Sequence, residues 1–155
     1  MLKRTHLAIS IMVGLYLFPY ITHKFVFFPV IIFGTLFPDI DSTSSKIGRR
    51  LVSQPIHLFT NHRGIFHSFT LCVALSLLVA WFFPIAALPF FLGYSFHLLA
   101  DSFTLLGIRP FWPLKLYSAG NIKTGGKTEF VLFWCFVIIN VFLFLFLVSR
   151  KFFIV

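Results

Sequence analysis

Apolar residues in this chain form long blocks that are separated by polar stretches. A helix needs about 20 residues to cross a hydrocarbon core of about 30 Å, and the last block fits this length best. The first two blocks are short, so tilting, a thinner bilayer or a tight hairpin around His23-Lys24 would have to accommodate them. The pattern predicts an all-α fold, a polytopic membrane helix bundle of about five transmembrane helices in a single domain over 1–155. The expected spans are 7–22, 25–38, 66–83, 85–106 and 129–149, with only a turn near Phe83-Pro84 between the third and the fourth.

The composition supports lipid as the solvent. Of the 155 residues, 59% are hydrophobic and only 11% are charged, whereas soluble domains usually carry about 25% charged residues. Too few polar side chains remain to cover a surface that faces water. Cys72 and Cys135 both lie inside apolar blocks, which favours small buried residues over a disulfide or a thiolate metal pair.

Basic residues account for the net charge of +9, and they lie in the gaps and ends of the apolar pattern. This placement is typical of membrane flanks and phospholipid headgroup contacts and argues against nucleic-acid binding. With the N-terminus inside, both long polar stretches, about 39–65 and 107–128, also lie inside. All basic residues except Lys24, Arg150 and Lys151 are then on that side. The positive-inside rule therefore predicts that the polar stretches face the cytoplasm.

All the acidic residues and most of the histidines lie near the ends of the blocks. If the blocks alternate through the membrane, the relevant ends meet on one face, the one predicted to be cytoplasmic. A random scatter would divide these residues between both faces, so the convergence indicates a site. The residues concerned are His6, Asp39, Asp41, His62, His67, His97, Asp101 and Glu129.

His97 and Asp101 are four residues apart, so a helix would place both side chains on one stripe about 5–6 Å apart. The pair alone could be a buried hydrogen bond between helices, but ionisable groups in lipid are expensive and are by default functional. Imidazole and carboxylate ligands without thiolates suit zinc first, and manganese or iron(II) as alternatives. We therefore predict a divalent metal site with the candidate ligands His6, Asp39, Asp41, His67, His97 and Asp101.

Six candidate ligands exceed the four that one tetrahedral zinc takes. We therefore predict one to three ions; with a single ion, some of these residues would hydrogen-bond to its ligands instead of binding it. Several members have simpler interpretations: the two aspartates as a solvated helix stop, His6 as an interfacial residue and His62 as a solvated loop residue. Glu129 could be a first-turn residue stabilised by the helix dipole. We nevertheless select Glu129 and His62 as candidate catalytic residues. Basic side chains that could bind a substrate phosphate are Arg63, Lys123 and Lys127.

The motifs taken together resemble the YdjM-type family of bacterial inner-membrane proteins over nearly the whole chain. They are Thr5-His6, Phe37-Pro38-Asp39-Ile40-Asp41, His62-Arg63-Gly64 with His67-Ser68, and His97 with Asp101. The spacing HRGxxHS is the most specific of these. The resemblance implies a membrane-bound metal-dependent hydrolase of the inner membrane, distantly related to zinc-dependent phospholipase C. It also implies phosphoester hydrolysis, at a site that is smaller than in the soluble relatives.

Three functions compete. The first is a metal-dependent hydrolase that cleaves a phosphoester of a lipid or lipid-linked substrate at the cytoplasmic face, with membrane lipids as its partners. The second is a metal transporter, but the outer halves of the blocks carry almost nothing ionisable beyond His23 and Lys24. The third is a non-catalytic structural or regulatory membrane protein, in which the polar cluster only holds helices together. The pattern predicts no particular oligomeric state.

Overall fold

The computed structural model describes residues 1–40 and 65–153, with the backbone alone for 151–153. Asp41, His62 and Arg63 therefore lie outside the described residues. Within the described ranges the chain is helical and has no strand, as the all-α prediction requires. The helices are α1 (Lys3–Leu17), α2 (Lys24–Leu36), α3 (Phe69–Phe82), α4 (Pro84–Ser102) and α5 (Lys127–Phe153). Single 3-10 turns occupy Phe18–Tyr20, Phe37–Asp39 and Ile65–His67.

Several helix ends differ from the sequence prediction. Helix α1 ends at Leu17 instead of 22, before a 3-10 turn that contains Pro19, and α5 covers Lys127–Phe153 instead of 129–149. Helix α1 begins at Lys3, four residues before the apolar block, because the polar residues Thr5 and His6 are themselves buried inside the protein. Helix α4 ends at Ser102 instead of 106. The Thr104 hydroxyl donates to the Asp101 carbonyl at 2.7 Å, which satisfies a carbonyl group that the helix end leaves without an intrahelical partner. In the stretch that follows, only isolated bridges pair Thr104 with Ile122 and Ile108 with Ser118.

Two of the described helices are long and apolar enough to cross a membrane, α4 and the segment Lys127–Arg150 of α5. Helix α3 is a shorter apolar helix, and the 15 residues of α1 and 13 of α2 rise only about 20 Å each. The most apolar stretch of α5 has a mean hydropathy of 3.0 and no residue buried within the protein. Such a surface is unfavourable in water, so α5 fits a lipid environment. The organisation with five spans stays a prediction.

The closest helix packing is between α2 and α4, where glycines let the two backbones touch. A Cβ atom at Gly34 would lie 2.6 Å from the Phe90 carbonyl oxygen, and one at Gly93 would overlap the Ile31 carbonyl. In membranes the hydrophobic effect contributes little to helix association, and small residues allow the close backbone contact that stabilises it. The hydroxyls of Ser10 and Thr35 meet at 2.6 Å and join α1 to α2.

Helix α5 attaches to the bundle through α1. The Asn140 side-chain amide donates to the Ala8 carbonyl at 3.0 Å, and the Arg4 guanidinium lies 5.2 Å from the centre of the Phe133 ring. Helix α1 therefore lies between α5 and α2, and whatever fixes its position also fixes the residues that it carries.

We expect Gly93→Ala to destabilise the protein by about 1–3 kcal/mol, because the added methyl overpacks the contact between α2 and α4. Thermal unfolding in detergent measures the effect. Ala74→Leu on the exposed side of α3 is the matched control and should leave the midpoint unchanged. Equal midpoints for the two variants would show that this contact is not tight.

Candidate metal centre

The structure brings five of the six predicted metal ligands together at one end of the bundle. They form two groups of three. One is His6, His97 and Asp101, and the other is Asp39, His67 and His97. Within each group the ligand atoms all lie within 4.8 Å of one another. His97 is common to both groups, so the five residues form one cluster. The sixth candidate, Asp41, lies outside the described residues.

Asp101 is the centre of this cluster. Its Oδ1 lies 3.3 Å from His6 Nε2 and also contacts the amino nitrogen of Met1. Its Oδ2 lies 3.7 Å from His67 Nε2 and 3.8 Å from His97 Nε2. Asp39 faces the same two histidines, with Oδ1 at 3.8 Å from His67 Nε2 and 3.9 Å from His97 Nε2.

These separations suit a shared cation better than direct hydrogen bonds. Nitrogen and oxygen atoms 3.7–3.9 Å apart are too far from each other for a hydrogen bond. Two ligands of one tetrahedral zinc are about 3.4 Å apart, given bonds of about 2.0–2.2 Å. Among the described residues, the buried Nε2 of His97 has no hydrogen-bond partner, although a buried polar atom usually has one. The donor set and its spacing therefore fit a divalent metal.

The five residues of the cluster differ in how far they are exposed. His6, His97 and Asp101 are at most 2% exposed, and His67 is 3% exposed. The Asp39 side chain is 18% exposed, the largest value of the five. Of these five residues, Asp39 is therefore the most accessible.

The rings of the cluster are ordered by contacts with one another. The His6 and His97 rings stack with their centroids 3.8 Å apart and an angle of 11° between their planes. His67 meets His97 edge to face at 5.5 Å. Because His97 contacts both of the other rings, a change at His97 disturbs the whole set.

Two neighbouring residues outside the predicted ligand set, Ser68 and Tyr94, hold His67 in place. Ser68 caps α3 by accepting a hydrogen bond from the Leu71 amide at 3.2 Å, and the buried Tyr94 hydroxyl donates to the Phe66 carbonyl at 2.7 Å. A serine directly before an apolar run is a readable N-cap signal. Nothing in the local sequence points to Tyr94, because its partner is 28 residues away.

Glu129 is not part of either ligand group, but it holds the helix that carries His6. Its Oε1 accepts hydrogen bonds from the Leu2 amide at 2.5 Å and the Thr5 hydroxyl at 2.9 Å. Its Oε2 accepts from the Gly125 amide at 2.6 Å. These three bonds join the start of α1 to the start of α5, which is a positioning role. The prediction that Glu129 is catalytic stays a prediction.

The remaining candidates are at the surface or outside the described ranges. Lys123 and Lys127 are exposed, and Lys127 opens α5 two residues before Glu129. His62 and Arg63 lie outside the described residues. His23, which is not among the predicted site residues, is exposed immediately before α2, at the opposite end of that helix from Asp39.

Comparison with known proteins gives one family. The model of the YdjM inner membrane protein family matches residues 1–153. The inner membrane protein YdjM of Escherichia coli K12 and that of Shigella flexneri are each 41% identical to the chain over 96 residues, which is 56% of this chain. The uncharacterized protein YvsG of Bacillus subtilis is 30% identical over 106 residues, 62% of this chain and 64% of YvsG. The matched part spans about half, 49%, of each YdjM protein, and no solved structure matches.

We expect the purified protein to carry a divalent ion and Asp101→Asn to lose it, with affinity lower by at least about 10–100-fold, the range for outer-shell partners of a metal. Elemental analysis after dialysis measures this. His23→Ala removes a histidine far from the cluster and should keep the full metal content. Full metal content in Asp101→Asn would contradict the assignment of the centre.

We expect Glu129→Gln to destabilise the protein by about 2 kcal/mol, because hydrogen bonds to a buried charged group are weakened. The loosened N-terminus should also be cleaved faster by trypsin at the exposed Lys3 and Arg4. Thr128→Val, at the exposed neighbouring position, is the control. Unchanged cleavage in Glu129→Gln would show that its carboxylate does not anchor α1.

Proposed function

The chain belongs to the YdjM inner membrane protein family, and we propose that it is a membrane-embedded metal-dependent hydrolase. Its substrate in this proposal is a phosphoester of a lipid or lipid-linked molecule. The observation that carries the proposal is the buried cluster of two carboxylates and three imidazoles at one end of an apolar helix bundle. Ionisable groups so close together in an apolar bundle are costly unless they serve a function.

Zinc is the first choice for the metal, with manganese or iron as alternatives, because the ligands are imidazoles and carboxylates without a thiolate. Asp101 presents Oδ1 to His6 and Oδ2 to His67 and His97. A carboxylate placed in this way can bind one ion or bridge two. The two groups share His97, which supports one ion or a close pair in preference to three.

A divalent ion supplies Lewis acidity, which makes water a nucleophile near neutral pH and polarises a phosphoryl oxygen. The protein's own contribution is to orient the ligands and to exclude bulk water from all sides but one. The partly exposed Asp39 marks the side from which a substrate would approach. His62 and Glu129 are the predicted catalytic residues, and the three contacts of Glu129 favour support of α1 as its main task.

A phosphate group would approach a strongly basic surface. Lys123 and Lys127 are exposed near the start of α5, and the predicted phosphate contact Arg63 would add to them. Lysine and arginine at a membrane face also attract anionic lipids. A hydrolase with its site at this level could act on a headgroup while the lipid remains in the bilayer.

The family and the apolar helices support a location in the inner membrane. A multi-pass topology with the cluster on the cytoplasmic side is part of the proposal and rests on the distribution of basic residues. A transporter would need ligands along a path through the bundle. Outside the cluster and Glu129, the polar groups that the described helices bury are uncharged, such as the hydroxyls of Ser10, Thr35 and Ser76 and the amide of Asn140, which argues against a transporter.

We expect the protein in vesicles of phosphatidylethanolamine and phosphatidylglycerol to release a phosphorylated headgroup or inorganic phosphate, and to stop when a chelator is added. Asp101→Asn should lower kcat at least about 100-fold, since even outer-shell partners of a metal change activity 10–100-fold. His23→Ala should keep full activity. Metal bound in full without hydrolysis of any lipid would favour a structural or regulatory role.

A further inference from the structure

A cavity of about 350 Å³ lies directly beside the metal centre. It is formed by α1, α4 and α5 together with the stretch after α4, and its walls are almost wholly apolar. Its volume is within the range of small-molecule sites, about 300–1,000 Å³. The lining residues Leu99 and Phe103 are about half exposed, at 46% and 55%, so the cavity opens sideways to the surroundings of the bundle.

The cavity and the centre share their wall. Ala100 lines the cavity and is followed at once by Asp101, the carboxylate at the middle of the cluster. Met1 also lines the cavity, while its amino nitrogen contacts Asp101. The cavity therefore lies against the backbone that carries Asp101, although none of the cluster side chains lines it.

On α1 and α5 the cavity extends from the level of the cluster toward the middle of the bundle, whereas on α4 its lining residues Phe96, Leu99 and Ala100 lie at the level of the cluster itself. On α1 the cluster residue His6 is followed three and six residues later by the lining residues Ile9 and Met12. At a rise of 1.5 Å per residue, these are about 4.5 and 9 Å farther along the helix. On α5 the lining residue Phe136 is about 10 Å beyond Glu129 by the same rise.

We propose that this cavity binds one hydrocarbon chain of a phosphate-bearing membrane lipid and places its headgroup at the His–Asp cluster. The inference rests on the proposed function and names the class of substrate. An apolar, laterally open space at this depth is poorly suited to water, and in a bilayer the surrounding material is hydrocarbon chain. The cavity is apolar throughout and lies beside a polar cluster, an arrangement that suits a molecule with a hydrocarbon chain and a charged headgroup.

Photocrosslinking tests the inference without depending on hydrolysis. The full chain is placed in phosphatidylethanolamine vesicles that contain a phosphatidylglycerol with a diazirine in one acyl chain, and crosslinked peptides are identified by mass spectrometry. We expect crosslinks concentrated on cavity residues such as Met12 and Phe136. Ala100→Leu should reduce them about tenfold, because its side chain takes the room of two or more methylene groups.

Two further variants keep the result interpretable. Leu132→Trp fills the cavity from α5 and should reduce the same crosslinks if Ala100→Leu does not fold. Ala74→Leu, exposed on α3, should leave them unchanged. Crosslinks spread evenly over the apolar surface, or unaffected by both filling variants, would overturn the inference. Concentrated crosslinks in a protein that binds no metal and hydrolyses no lipid would overturn the proposed function alone.

Discussion

A carboxylate buried at the end of an apolar bundle is the constraint on which the rest of this structure depends. Asp101 is only 2% exposed, and a buried charge is costly unless other groups pair with it. Its two oxygens face the Met1 nitrogen and the imidazoles of His6, His67 and His97. Three segments of the chain, α1, the turn before α3 and α4, must therefore meet at one point, and the helix ends are arranged around it.

The remainder of the bundle is built to bring those helices close while its outer surface stays apolar. Gly34 and Gly93 permit contact between the backbones of α2 and α4, and hydroxyls buried between helices bond to one another or to carbonyls, as Thr35 does with Ile31. The apolar stretch of helix α5 has no fully buried residue. Ionisable groups are thus concentrated at one end of the bundle, where in a membrane protein they are by default functional.

Helix α1 carries one ligand of the cluster and one wall of the cavity, so its attachment affects both. Glu129 fixes its first turn, and Asn140 fixes its middle through the Ala8 carbonyl. His6 and Ile9 lie on the same face of this helix because they are three residues apart. The position of α1 therefore couples ligand geometry to the shape of the apolar space, which links metal binding and lipid binding in the proposal.

The sequence by itself determined most of the helices and indicated which ionisable residues would come together. Long apolar blocks indicate helices because both a protein core and a lipid bilayer favour apolar side chains. The alternation of these blocks through the membrane was enough to expect that five residues would lie near one another: His6, Asp39, His67, His97 and Asp101. Only the tertiary structure decided that α1 begins at Lys3, that Glu129 binds the N-terminal segment instead of joining a ligand group, and that Tyr94 supports His67. These depend on side-chain direction and on contacts between distant segments, such as the 127 residues between Leu2 and Glu129, which hydrophobic periodicity does not encode.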